Sequence, residues 1–87
     1  MRTEAEHQVL KLFGARVVEL RKRLDLSQEQ LALESGIARS YIGEVERGKR
    51  NPAVVIICRL AETLRVAPSA MLDFETDVPS LLESSAR

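Results

Sequence analysis

Apolar residues recur along the first part of the chain at intervals of three and four. Val9, Leu12, Phe13, Val17, Leu20 and Leu24 make the stripe of an amphipathic helix running from about Glu4 or Glu6 to Leu24. Glu4 and Glu6 near its start, and Arg21, Lys22 and Arg23 near its end, suit the helix dipole. Gly14 weakens the middle of this helix by about 1 kcal/mol relative to alanine, so it marks either a close approach or the junction between an extension and the core helix. After Asp25 the pattern restarts. Ser27 is a good N-cap and Gln30 sits where a capping-box partner belongs, which starts a second helix near Gln28. Leu31 and Ala32 lie on one face of it, and Gly36 ends it after about two turns. Ile37 plugs the gap that follows. Ile42 and Val45 then repeat three apart, giving a third short helix that Gly48 stops. Helices this short need packing to persist in water.

Beyond Pro52 the run Ala53 to Val66 is ambiguous at first. Val54, Val55, Ile56, Ile57 and Cys58 read as a buried strand, but Leu60, Ala61 and Leu64 continue at helical spacing, and the length favours a helix. Pro68 and Ser69 open a last short helix through Met71 and Leu72. From Thr76 to Arg87 the chain turns polar, a tail or a short docked helix. The expectation is an all-α fold of five helices, with residues 1–75 as the domain and 76–87 as its tail.

Composition narrows the chemistry. At 87 residues, 45% apolar and 30% charged, the chain has the material for a single small core. Cys58 has no cysteine partner and there is no cysteine–histidine cluster, so neither an internal disulfide nor a metal is expected. No cofactor is implied. No apolar run reaches about 18 residues and the first residues contain no hydrophobic segment, which leads to a cytoplasmic reading. There is no phosphate-binding glycine loop, HExxH or CxxC. His7 reads as a solvated residue and Cys58 as a small core or interface side chain, so an enzyme is not expected.

The net charge is zero, yet it is unevenly placed. Residues 1–50 carry ten basic and eight acidic residues, and 51–87 carry three and five. Arg21, Lys22 and Arg23 cluster, as do Arg47, Lys49 and Arg50, which leaves room for one basic face.

With these residues placed, the stretch LSQEQLALESGIARSYIGEVERGKRNP resembles the helix-turn-helix of the Cro and repressor-like (XRE-type) transcription factors of bacteria and phages. The likeness runs from about Leu20 to Leu72. It implies a five-helix domain that inserts its third helix, Ala38 to Glu46 here, in the DNA major groove, usually as a homodimer on a two-fold site. Arg39, Ser40, Tyr41 and Glu44 are then the base-contact candidates, with Arg39 suited to guanine O6 and N7 and Glu44 to a cytosine amine. Gln28 resembles the family's phosphate-contacting glutamine, and Arg47, Lys49, Arg50 and Asn51 are further backbone candidates. Glu46 resembles the glutamate that pairs with an arginine, here Arg21, to tie the third helix to the first.

One departure stands out. The fourth helix is apolar nearly all round, with Val55 and Ile56 beside Val54 and Ile57, and such a helix needs a second face to bury. A homodimer interface of Val55, Ile56, Cys58 and Arg59 is expected, with Met71, Phe74 and Leu81 or Leu82 contributing; the alternative is that the N-terminal extension or the tail covers that face within one chain. The functional expectation is a dimeric transcription regulator binding double-stranded DNA at a palindromic operator, with RNA polymerase as a further partner. Restriction-modification controller proteins share this compact form, and a small autoregulator of that kind is favoured. The competing expectation is a protein-interaction module or antitoxin-like partner, supported by the zero net charge.

Overall fold

Thr3 and Ser27 start helices by the same device. Each hydroxyl accepts from the backbone N–H three residues on, at Glu6 (3.2 Å) and Gln30 (3.0 Å), and the side chains of Glu6 and Gln30 accept from the N–H groups of Thr3 and Ser27. In the computed structural model, which describes residues 2–75, these caps open α1 (Glu4–Arg23) and α2 (Gln28–Ser35). The tail 76–87, with Leu81 and Leu82, lies outside the described residues.

Gly36 closes α2 at φ 74°, donating its N–H to the Ala32 carbonyl. The turn is then fastened by a residue that the pattern did not single out. Ser35 is buried, and its hydroxyl accepts from the Ile37 N–H at 3.2 Å. α3 spans Arg39–Glu46, one residue shorter than expected because Ala38 is its N-cap. The β-branched run is helical, as its length favoured: α4 covers Val54–Thr63, with Ala53 at its N-cap.

The last short helix, expected after Pro68, is a 3-10 helix over Pro68–Leu72, so four of the five expected helices are α-helices. Five residues opening on a proline offer few i to i+4 bonds, and the tighter winding is common in such short pieces. The all-α class stands, and no strand occurs among the described residues.

The core joins Phe13, Val17 and Leu20 of α1 to Leu31, Ile37, Ile42, Val45, Leu60, Ala61, Leu64 and Met71. Leu10 is also buried, a position the stripe passed over in favour of Val9. Gly14 marks a close approach. A Cβ there would lie 2.5 Å from the Val45 carbonyl oxygen and 2.6 Å from that of Glu46, so α1 meets the end of α3 backbone to side with no room for a methyl group.

Arg16 fixes the far end of the domain. Its side chain is nearly buried; Nε donates to the Ala70 carbonyl at 2.8 Å and Nη1 to Glu19 Oε1 at 2.6 Å. That hydrogen bond from Arg16 is the main influence holding the Glu19 carboxyl below the ordinary range. The 3-10 helix is thereby pinned to α1.

Candidate nucleic-acid interface

α3 owes its orientation to its inner face and its last residue. Ile42 and Val45 are sunk in the core, so the opposite side of the helix must face outward. At its C-terminal end, Glu46 accepts from Arg21 Nε at 2.7 Å and from Arg21 Nη2 at 3.0 Å. Side-chain exposures of 12% for Arg21 and 5% for Glu46 make this a largely desolvated, two-pronged pair. Arg21 Nη1 also donates to the Leu26 carbonyl at 2.9 Å, which ties in the link between α1 and α2.

Gln28 belongs to the same network. Its Nε2 donates to Glu46 Oε1 at 2.8 Å, so the amide is engaged within the protein, and the residue is half-buried. What Gln28 retains toward a ligand is its place in the first turn of α2, where backbone N–H groups favour an anion. Gly43 lies beneath the Arg47 guanidinium and the Gln28 amide, and an added Cβ would stand 3.3 Å from Arg47 Nη1.

The outward side of α3 presents Arg39 and Ser40 exposed, with Tyr41 and Glu44 half-buried. Arg47, Lys49, Arg50 and Asn51 follow, all exposed. This loop turns back on the helix. The Gly48 N–H reaches the Val45 carbonyl and the Lys49 N–H reaches the Glu44 carbonyl at 2.8 Å. Gly48 adopts φ 76°, and a Cβ there would meet the Lys11 backbone at about 3 Å, so α1 supports the loop from behind.

Two of the singled-out residues do not stand free. Glu44 Oε1 accepts from Arg50 Nε at 3.4 Å and Nη2 at 3.3 Å, and the Arg50 guanidinium lies 5.4 Å above the Tyr41 ring. Arg39 and Ser40 stand apart from this group, with no side-chain bond or ion pair to it among the described residues. Arginine and lysine on one side, with a tyrosine and a serine between them, are the groups that bind phosphate oxygens and base edges.

The expected second interface is only partly as anticipated. Val55, Cys58 and Arg59 are exposed, but Ile56 turns inward and packs against the core. Met71 is wholly buried and Phe74 packs against the core, so both serve the interior of the domain. Val54 (74% exposed) and Leu72 (56%) stand outward with Val55 (67%). The apolar surplus is real: Val55 belongs to it as expected, Val54 and Leu72 join it, and Ile56 does not.

The helix-turn-helix family model HTH_3 matches residues 17–70, which runs from the last third of α1 through α2, α3 and α4 into the 3-10 helix. Control protein C.BamHI of Bacillus amyloliquefaciens is 41% identical over 66 residues, covering 75% of this chain and 82% of that protein. Control protein C.SmaI of Serratia marcescens is 45% identical over 58 residues, 67% of this chain and 57% of the other. Among solved structures, the restriction-modification controller protein C.AhdI from Aeromonas hydrophila matches with a TM-score of 0.70 at 50% identity, covering 71% of this chain and 94% of that one.

Proposed function

The chain belongs to the HTH_3 helix-turn-helix family of DNA-binding transcription regulators, and we propose that it acts as a homodimer that reads a two-fold operator in double-stranded DNA, in the manner of a restriction-modification controller. The observation that carries this reading is the division of α3 into a buried face and an exposed one. Ile42, Val45 and the Arg21–Glu46 pair hold the helix by its back, while Arg39 and Ser40 stand free in front. In the proposed complex Arg39 donates to guanine O6 and N7, Ser40 and Tyr41 touch neighbouring base edges, and Glu44 accepts from a cytosine amine. Gln28 through its helix terminus, with Arg47, Lys49, Arg50 and Asn51, contacts the phosphates on either side.

Dimerisation is supported by Val54, Val55 and Leu72, three large apolar side chains left in solvent on α4 and the 3-10 helix that packs against it. A second copy buries them about a two-fold axis, and half-sites then fall roughly one helical turn apart, about 10 base pairs. The pairing doubles the number of cations facing DNA, which makes a protein of zero net charge locally basic.

Salt titration of duplex binding tests the phosphate part of this reading. With Arg47, Lys49 and Arg50 neutralising three phosphates in each protomer, log K falls with log salt at a slope of about −5 for the dimer. A flat dependence contradicts it and favours a protein-interaction module.

A further inference from the structure

We propose that Glu44 is a positioning residue that sets DNA specificity by withholding Arg50, an inference that rests on the DNA-binding reading above. The geometry is a latch across the end of α3. The Glu44 carboxylate holds the Arg50 guanidinium through two N–H donors, and the Tyr41 ring supports that cation from below. The Glu44 backbone carbonyl accepts from the Lys49 N–H, so one residue folds the whole Lys49–Arg50 segment back onto the helix. Arg50 remains about half exposed and Glu44 about a third, so the pair is accessible to a competing anion.

A carboxylate on a guanidinium is an intramolecular substitute for a phosphate. A duplex that offers only backbone must draw Arg50 away and leave Glu44 ionised among phosphates, where like charges repel. A duplex that presents an amine in the major groove gives Glu44 a new donor, and Arg50 is then released to the backbone without loss. The latch therefore weakens binding to random sequence more than binding to the operator. In this account the base contact of Glu44 and the phosphate contact of Arg50 are two halves of one exchange.

The test compares the parent, Glu44→Gln, and Glu44→Gln combined with Arg50→Gln. In Glu44→Gln the affinity for random duplex rises about fivefold, the scale of an exposed ion pair. The salt slope of the dimer steepens by about 1.8, the equivalent of one more phosphate contact in each protomer. Operator affinity does not share this gain, because a neutral amide accepts from the cytosine amine more weakly than the carboxylate does, so the ratio of operator to random binding falls by at least the same factor. Adding Arg50→Gln abolishes both gains. An unchanged slope in Glu44→Gln overturns the latch, and so does a gain that survives the loss of Arg50, because Glu44 would then act by its charge alone. Without DNA, the Arg50 side-chain protons show an upfield ring-current shift from Tyr41 that Glu44→Gln removes; no such shift in the parent also overturns the latch. If the parent shows the shift yet binds no duplex, the DNA-binding reading fails and the proposal built on it falls, while the ion pair itself stands.

Discussion

Replacing Glu46 with alanine lowers the free energy of unfolding by about 3–5 kcal/mol, a large share of what a domain of this size possesses. The loss exceeds that of a surface ion pair because of where the partners sit. Arg21 and Glu46 are nearly enclosed, and the carboxylate accepts from two guanidinium nitrogens and from the Gln28 amide. Removing it strands a buried cation and an amide donor together, and the cost is their unrecovered desolvation rather than the net value of the pair. Glu46→Gln keeps an acceptor and most of the shape, so it falls between alanine and the parent. Urea denaturation of the three proteins measures the series. A loss below about 1 kcal/mol for the alanine variant, the level of an exposed pair, contradicts this account.

Val55→Asp separates assembly from folding. Val55 is two-thirds exposed in the single chain, so the aspartate meets water there and the monomer folds as before. At a two-fold interface the same change places two carboxylates in an apolar contact, facing each other or nearly so, and neither has a cation to pair with. Sedimentation velocity then shows a monomer where the parent is a dimer. Operator affinity falls about a hundredfold or more, because two half-sites no longer bind as a linked unit. A variant that sediments as a dimer like the parent contradicts the placement of the interface on α4.

Residues that act on near neighbours were legible in the sequence. Ser27 with Gln30, Gly36 and the inward Ile42 and Val45 depend on spacings of one to four residues, and the structure places them as the spacings required. The Arg21 and Glu46 assignment came from resemblance, since nothing in a separation of 25 residues signals a contact. Arg16 shows what such separation hides. It reads as one more cation on a polar helix face, yet its donor reaches a backbone carbonyl 54 residues on, at Ala70. The run from Val54 to Cys58 failed for a different reason. An apolar residue at every position carries no phase, so the pattern announced a surplus face without telling that Ile56 turns in and Val54 turns out. Met71, expected to contribute to the interface, is part of the core.

At the interface, the sequence named Tyr41, Glu44 and Arg50 separately. It did not reveal that they form one group, because Glu44 and Arg50 are six residues apart across a helix end rather than three or four along it. Gly14 was open between two meanings until the carbonyls of Val45 and Glu46 were seen beside it.

The central claim is that α3 reads sequence and does so in pairs. Recovery of bound duplexes from a fully random pool, by the parent protein at near-physiological salt, tests it most directly. The account predicts an enriched motif of two half-sites related by a two-fold axis, about 10 base pairs centre to centre, each containing a guanine for Arg39. A recovered pool with no enriched sequence would contradict it.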